Sequence, residues 1–224
     1  MARNKLLCTF LYKLGVTMTI DSLKNILHHR RPRIIDDQNV IHAAVAVPLV
    51  TIDGEDHILF TVRSSKLRWQ PGEISFPGGH CEAEDSSDAQ AAIRECTEEL
   101  GISAEAIELL GPLDCLVSAI GVRLHAVAVK LHTLDFYPSQ EEVQEVFTVP
   151  LDVLRNMEPI EGRVEVGTKP MEGFPHHLLQ DYKIDWKLRQ SYGVYFYLYN
   201  DYVIWGLTGR VLKNFLDIYD GRIK

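Results

Sequence analysis

Three glutamates and one arginine stand close together in the segment 89–101, and their spacing could bind a metal ion. On a helix turning about 100° per residue, Glu95, Glu98 and Glu99 fall within one arc, with Arg94 at its edge. Converging carboxylate oxygens are the ligands that hard cations such as Mg²⁺ and Mn²⁺ prefer. The simpler alternative is a solvated helix face on which Arg94 pairs with Glu98.

A glycine-rich bend directly precedes this segment. Phe76-Pro77-Gly78-Gly79 combines the fixed backbone angle of proline with two residues that lack a Cβ. Its backbone can therefore approach a ligand closely. Because the bend stands just before the acidic segment, it favours the metal-site interpretation over the solvated face.

The acidic segment carries the sequence signals of an amphipathic helix. Ser87 followed by Gln90 matches a capping box, and Gly101 stands where a left-handed C-cap is expected. The arc opposite the glutamates is apolar and consists of Ala89, Ile93, Cys96 and Leu100. The sequence thus predicts a helix over 87–100 that buries one side and presents its carboxylates on the other.

Strand and helix patterns alternate around this helix and indicate one core. The predicted strands are 40–48, 58–62, 72–76, 122–131 and 192–199. Asp53-Gly54 predicts a hairpin turn between the first two strands. An apolar series at Leu207, Val211, Phe215 and Ile218 predicts a closing helix.

Composition limits the kinds of partner. The 224 residues carry a net charge of −8, so a broad electrostatic contact with nucleic acid is not expected, and an anionic ligand must be held by a few arginines or through a cation. No apolar run reaches the ~18 residues that a membrane span needs.

The four cysteines form no C-x-x-C pair, which argues against a zinc ribbon and a disulfide scaffold and fits a reducing or neutral compartment. With Cys96 on the buried arc and no base adjacent to Cys81 in sequence, a thiol nucleophile is not expected.

The N-terminal segment 1–37 is predicted to be an extension of a folded domain at 38–224. Its first twenty residues include Arg3, Lys5 and Lys13 and no acid, which is typical of a mitochondrial targeting segment and equally of a first helix. We expect an intracellular protein, mitochondrial if this segment directs it there and cytoplasmic otherwise. The last three residues do not match a peroxisomal signal. The stretch 28–33 is predicted to be a solvated linker.

The acidic helix and its preceding bend together resemble the signature of the Nudix hydrolases. That signature is G-x5-E-x7-R-E-U-x-E-E-x-G-U, where U is aliphatic, and it aligns with Gly79, Asp85 and the run Arg94 to Ile102. Asp85 replaces the usual Glu, and eight residues instead of seven separate it from Arg94. The resemblance implies an α/β fold, a Nudix-type α/β/α sandwich with a mixed β-sheet, over residues 38–224.

The segment before the bend is similar to the coenzyme A diphosphatase subgroup. The pattern L-L-T-x-R-S-x3-R-x3-G-x3-F-P-G-G, associated there with CoA recognition, aligns from Leu59 to Gly79, with Phe60 in place of the second leucine. The resemblance implies that Arg63 and Arg68 contact phosphates of CoA, with Arg63 the candidate for the 3′-phosphate; surface ion pairs are the alternative. Lys66 is a weaker candidate. Trp69 could stack on adenine, although one loop aromatic more often serves packing.

The resemblance also implies roles at the site. Glu95 and Glu99 would bind Mg²⁺ or Mn²⁺, Glu98 would be an auxiliary ligand or a base, and Arg94 would hold a carboxylate in place. Gly78 and Gly79 would shape the site. The general base stays open among Glu98, Glu142 and Glu145, and the alternative for the last two, with Glu141, is the solvated start of a helix.

The implied reaction is metal-dependent hydrolysis of CoA and acyl-CoA to 3′,5′-ADP and 4′-phosphopantetheine or its acyl derivative. Two alternatives stay open. One is a Nudix hydrolase of another nucleoside-diphosphate derivative, such as NADH, an ADP-sugar or a damaged nucleotide. The other is a non-catalytic ligand-binding domain. The expected partner is a small-molecule substrate, and a homodimer is also left open.

Overall fold

The computed structural model describes residues 20–28, 30, 40–180 and 185–223 of the chain. The chain divides into two compact units, 1–39 and 40–224. In the first unit the described element is helix α1, Ile20–His28. The basic positions 3, 5 and 13, Cys8 and most of the predicted linker lie outside the described residues, so the targeting and domain-division hypotheses stay predictions. None of the helices in the described ranges has the length and apolar character needed to cross a bilayer.

The second unit contains strands and helices interleaved along the chain. Its strands are β1 (Ile41–Ile52), β2 (Glu55–Arg63), β3 (Ile74–Ser75), β4 (Gly78–His80), β5 (Ile107–Pro112), β6 (Leu116–Val117), β7 (Val122–Leu131), β8 (Val143–Pro150), β9 (Ile160–Thr168), β10 (Lys187–Tyr199) and β11 (Tyr202–Ile204). Its α-helices are α2 (Asp88–Leu100), α3 (Leu151–Asn156) and α4 (Gly206–Tyr219).

The main sheet is mixed. Its strand order is β3-β2-β1-β7-β5, with β4 also paired to β1, β6 to β7 and β8 to β2. The long central strands β1 and β7 run parallel, and every other pair in this sheet of the described region is antiparallel. Strands β9, β10 and β11 form a separate antiparallel sheet. The pairing places β4, and with it the glycine bend, directly beside the centre of the main sheet.

Two hydrophobic clusters cover the opposite faces of the main sheet. On one face, Cys96 and Leu100 of α2 pack against residues of β1 and β7 such as Ala46 and Val129. On the other, residues of α4 such as Phe215 pack with buried side chains of β2 and β7. Alternation along the strands sends successive side chains to the two faces. The predicted α/β/α sandwich with a mixed sheet is therefore confirmed.

Local patterns predicted most elements of this core. The strand 122–131 has its predicted bounds, and the other predicted strands, the Asp53-Gly54 turn and the closing helix are present. The strand predicted over 72–76 is limited to Ile74–Ser75, because β3 pairs with β2 at only two positions. The helix start proposed as an alternative for residues 141–145 is wrong: a turn leads into β8 there.

Candidate active site

Helix α2 is fixed at both ends by its own sequence. At its start, the Ser87 hydroxyl accepts a hydrogen bond from the backbone N–H of Gln90 at 3.2 Å. The Gln90 side chain accepts from Ser86 at 2.6 Å, so the reciprocal bond of a capping box shifts by one residue. At its end, Gly101 adopts a left-handed conformation (φ 63°) and donates to the carbonyl of Thr97 at 2.9 Å. The glutamates between these caps therefore have a defined position over the sheet.

The buried side of α2 is wider than its apolar arc predicts. Ala91 and Ala92 are fully buried together with Cys96 and Leu100, while Ala89 and Ile93 are only partly buried. Glu99 is buried as well, with 6% of its surface exposed. The segment before β8 covers this end of the helix, since the backbone N–H of Ser139 donates to the carbonyl of Glu99 at 3.1 Å. One of the three predicted surface carboxylates is therefore withdrawn from solvent.

Arg94 is the centre of an ion-pair network. Its guanidinium contacts Asp85 through two nitrogens, each at 3.2 Å, and reaches Glu95 at 3.0 Å and Glu98 at 3.1 Å. It also donates to the backbone carbonyl of His80 at 3.0 Å. The hydrogen bond from Arg94 holds the pKa of Asp85 below its usual range. Arg94 therefore ties the helix to the loop that follows the glycine bend.

Glu95 lies against the glycine bend. A Cβ built on Gly79 would stand 2.5 Å from the carboxylate carbon of Glu95, and a Cβ on Gly78 would stand 2.4 Å from the carbonyl oxygen of Ala44. At Gly78 the clash is with backbone, so only glycine fits there; at Gly79 a side chain would displace the Glu95 carboxylate from its present position. Burial raises the pKa of Glu95, while Arg94 opposes the shift. The bend thus shapes the pocket in which this carboxylate lies.

Glu99 is the most strongly perturbed acid of the cluster. Burial raises its pKa to about 8, although the backbone N–H of Gly78 donates to it and the nearby Arg63 charge favours its ionised form. The charges of Glu142 and Glu95 push the pKa in the same direction as burial. A buried carboxyl group among like charges favours either a proton or a cation.

The three candidate bases have different surroundings. Glu142 precedes β8, and its charge acts on both Glu95 and Glu99. Its backbone is held on both sides, since it donates to Ser139 and accepts from Ser64 at 2.9 and 2.8 Å. Glu98 is exposed and paired with Arg94.

Glu145 lies on β8 and accepts a hydrogen bond from the hydroxyl of Tyr202. Tyr202 stacks on Phe147, with the ring centroids 3.7 Å apart. No pattern in the sequence pointed to this tyrosine, because its contact with Glu145 joins β11 of the separate sheet to β8 of the main sheet. Glu142 is therefore the candidate base that the structure brings to the buried carboxylates.

The donor set fits a divalent cation. As they stand, no three His, Cys, Asp or Glu side chains of the described ranges converge tightly enough to enclose an ion. Glu95 is held by Arg94, and Glu99 by Gly78. The charge of Glu142 acts on both Glu95 and Glu99, and burial raises the pKa of these two carboxyl groups. A hard cation would favour their ionised form and offset the repulsion between the carboxylates.

The three cationic residues that were predicted to contact phosphate differ in their surroundings. Arg63 ends β2 and lies close enough for its charge to act on Glu99; its Nη2 donates to the carbonyl of Trp69 at 3.3 Å. The Nε of Arg63 is buried and has no hydrogen-bond partner in the described part of the chain. Arg68 is exposed in the β2–β3 loop. Lys66 pairs with Glu141 at 2.6 Å.

Trp69 does not serve packing. It is 74% exposed in the loop between β2 and β3, so the packing interpretation is wrong for this residue. A flat aromatic face on the surface next to Arg68 is open to stacking with a planar ring.

The sequence matches known proteins over most of its length. Residues 41–166 match the sequence model described as the NUDIX domain. The chain is 29% identical to "Nudix hydrolase 3" of Caenorhabditis elegans over 89% of its own length and 82% of the relative's. It is 30% identical to the "Uncharacterized Nudix hydrolase NudL" of Enterobacter sp. strain 638, over 88% of this chain and 92% of that one.

A further match concerns a relative whose substrate is named. Over 116 residues, the chain is 38% identical to the "Peroxisomal coenzyme A diphosphatase NUDT7" of Mus musculus. This match covers 49% of the chain and 47% of that protein, so the chain spans about half the length of this relative.

Proposed function

The chain belongs to the NUDIX family of hydrolases, which cleave phosphoric anhydrides of nucleoside-diphosphate derivatives, and on that premise we propose that its substrate is coenzyme A or an acyl-CoA. Enzymes of this family generally use divalent metal ions. The proposed products are 3′,5′-ADP and 4′-phosphopantetheine or its acyl derivative. The likeness to the named CoA diphosphatase supports this substrate.

The observation that carries the proposal is the unpartnered nitrogen of Arg63. A buried guanidinium N–H that lacks an acceptor destabilises the folded protein, unless a ligand supplies the acceptor. This one lies where its charge acts on Glu99, beside the carboxylates that would hold the metal. Because this nitrogen is buried, the Arg63 side chain would have to turn to reach a diphosphate. A diphosphate would then supply the missing acceptor, and it is the group that a metal at the same carboxylates would contact.

The positions of the two arginines revise their assignment. Because Arg63 lies beside Glu99, we assign it to the diphosphate and not to the 3′-phosphate. Arg68 is exposed farther along the β2–β3 loop, next to Trp69, and we assign the 3′-phosphate to Arg68 and the adenine ring to Trp69. Guanidinium groups suit both phosphates because their fork matches phosphate oxygens.

We assign the reaction roles as follows. Glu95 and Glu99 would hold Mg²⁺ or Mn²⁺, with Glu98 as an auxiliary ligand. When bound, the metal neutralises charge on the diphosphate and lowers the pKa of a bound water. Arg94 fixes Glu95 and anchors the helix to His80 at the end of β4 and to Asp85 in the loop that follows.

The remaining roles concern proton transfer and the shape of the site. Glu142 would accept the proton of the attacking water, because it is the candidate base whose charge reaches both Glu95 and Glu99. Gly78 donates its N–H to Glu99, and Gly79 leaves the space that the Glu95 carboxylate fills.

Substrate comparison with the two arginine variants tests this assignment. With Mg²⁺ or Mn²⁺, wild-type protein should convert CoA into 3′,5′-ADP and 4′-phosphopantetheine in equal amounts, as resolved by liquid chromatography and mass spectrometry. Arg68→Ala should raise KM for CoA about tenfold and leave KM for 3′-dephospho-CoA unchanged, since one charged hydrogen bond is worth about 1.5–3 kcal/mol. Arg63→Ala should lower kcat/KM for both substrates about tenfold or more.

The matched control is Arg163→Ala on β9, where the arginine donates to Ser191. This variant should behave as wild type toward both substrates. Intact CoA beside rapid cleavage of NADH or ADP-ribose would contradict the CoA assignment and leave the reaction class unchanged. Equal effects of Arg68→Ala on CoA and 3′-dephospho-CoA would contradict the 3′-phosphate assignment.

A further inference from the structure

Cys115, His125 and Asp88 form a connected series that has no part in the proposed hydrolysis. The Sγ of Cys115 lies 3.9 Å from Nε2 of His125, and Nδ1 of His125 lies 3.1 Å from Oδ2 of Asp88. A thiol, an imidazole and a carboxylate in this order correspond to a nucleophile, its base and the group that orients the base. Cys115 lies 10 positions from His125 and 27 positions from Asp88 along the chain, so no short sequence motif contains all three residues.

Strand pairing brings these residues together. Strand β6 pairs antiparallel with β7, with Leu116 opposite Leu124, so the same register continued by one residue places Cys115 opposite His125. Along β7, His125 alternates onto the face of Val127 and Val129, which pack with α2. Asp88 is the first residue of α2 and therefore meets His125 across this face.

The partners of the imidazole fix its protonation pattern. The Asp88 carboxylate only accepts hydrogen bonds, so in the neutral ring Nδ1 carries the proton and donates to it. Nε2 then has a free lone pair directed at the thiol of Cys115. The carboxylate thus selects the tautomer in which His125 can take a proton from sulfur.

The thiol is accessible but needs that base. Cys115 is exposed, in contrast to the buried Cys96. Desolvation raises the pKa of the Cys115 thiol; the charge of Arg123 opposes this shift and the charge of Asp88 adds to it. Because the thiolate is the reactive form, transfer of the proton to His125 is what makes the sulfur nucleophilic.

We propose that Cys115 is a site of thiol–disulfide exchange with small disulfides, in which His125 accepts the thiol proton and Asp88 orients His125. The proton of the Cys115 thiol passes to Nε2, the sulfur attacks one sulfur of the disulfide R–S–S–R′, and the S–S bond breaks. Cys115 is oxidised to the mixed disulfide with R, and R′–S⁻ leaves as the reduced thiol with the proton from His125.

The chemistry of the three residues favours a disulfide over a thioester as the partner. Attack on a thioester carbonyl creates an oxyanion that requires positioned donors. Exchange at sulfur requires only a thiolate and a place for the proton. A thiol with an oriented imidazole supplies those two requirements.

Labelling kinetics with 5,5′-dithiobis(2-nitrobenzoate), an anionic disulfide, test the proposal. At pH 7, with the modified cysteines identified by peptide mass mapping, Cys115 of the folded protein should react at least about tenfold faster than Cys115 of the same protein unfolded in guanidinium. His125→Gln and Asp88→Asn should each lower the folded-state rate about tenfold or more, as expected for loss of general-base assistance.

The matched control is His132→Gln. His132 also contacts a carboxylate, that of Glu108 at 2.9 Å. Its replacement should leave the Cys115 rate unchanged. Because Cys81 also contacts Asp88, the mapping is repeated in Cys81→Ser, which should keep the fast Cys115 reaction.

Protection of the buried Cys96 reports in each sample that the variant is folded. If His125→Gln loses this protection, Asp88→Asn supplies the same test independently. The proposal is overturned if folded Cys115 reacts no faster than unfolded Cys115, or if a folded variant lacking His125 or the Asp88 carboxylate reacts as fast as wild type. Neither result bears on the proposed hydrolysis.

Discussion

Replacement of Glu99 by glutamine is expected to lower kcat/KM for the hydrolysis of CoA, the proposed substrate, by about a thousandfold or more. Glutamine keeps an oxygen that can accept from the N–H of Gly78 but removes the charge that a divalent cation requires. A catalytic metal supplies several kcal/mol of charge stabilisation, and each 1.36 kcal/mol corresponds to about a factor of ten in rate. Steady-state kinetics at saturating Mn²⁺ measure the loss.

The same variant should stabilise the metal-free protein at alkaline pH. The pKa of Glu99 is raised to about 8 in the folded protein, so between the unfolded value near 4.5 and pH 8 the folded state retains a proton that the unfolded state releases. The stability of the wild type therefore falls as pH rises through this window. Glu99→Gln avoids that loss, and in EDTA at pH 8.5 its free energy of unfolding should exceed that of the wild type by about 2–4 kcal/mol.

Urea denaturation at pH 4 and pH 8.5 distinguishes this effect from a general change in packing. At pH 4 both states of the wild type carry the proton, so the two proteins should differ little. Glu108→Gln, on the exposed strand β5, is the matched control and should change neither activity nor stability at pH 8.5 beyond about 0.5 kcal/mol. Wild-type turnover by Glu99→Gln would remove this residue from the metal site.

Replacement of Arg94 by alanine is expected to lower kcat/KM about a hundredfold. Its guanidinium contacts Asp85, Glu95, Glu98 and the carbonyl of His80, so its loss frees the Glu95 carboxylate and detaches α2 from the loop after the glycine bend. Loss of a group that orients metal ligands typically costs about 10–100-fold in metal affinity or activity. Kinetics as a function of Mn²⁺ concentration should show that part of the loss is a higher metal requirement.

Two further variants sharpen the test of Arg94. Arg94→Lys should recover little activity, because a single ammonium cannot reproduce the bidentate contact with Asp85. Arg155→Ala is the control, since this arginine also pairs with two carboxylates, those of Asp152 and Asp220, outside the site. If Arg94→Ala and Arg155→Ala reduce kcat/KM equally, the role of Arg94 is general stability and not positioning.

Features encoded by neighbouring residues were predictable from the sequence. The helix caps at Ser87 and Gly101 are local features, because each cap forms contacts only with residues within one or two helical turns. The spacing of the carboxylates between them is also visible in the sequence. The strand beginning at Val40 was equally clear, since its β-branched run is long enough for a buried strand. The sequence thus predicted the helix and the glycine bend that precedes it.

Features created by distant pairing were not predictable in this way. Gly78–His80 becomes a strand only because β1 pairs with it, and the backbone of Glu99 accepts a hydrogen bond from Ser139, forty residues away. In strand β9, charged residues and glycines separate the few apolar residues, so its sequence did not predict a strand. The series of Cys115, His125 and Asp88 likewise exists only after β6, β7 and α2 have come together.

Binding of Mn²⁺ tests the central claim most directly, because every assigned role depends on a metal held by Glu95 and Glu99. Isothermal titration calorimetry of the metal-free protein at pH 8, with 3′,5′-ADP present to occupy the nucleotide site, should show saturable Mn²⁺ binding. The binding should be lost in Glu99→Gln and retained in Glu108→Gln. Equal Mn²⁺ binding by the wild type and Glu99→Gln, or no binding by the wild type, would contradict the account.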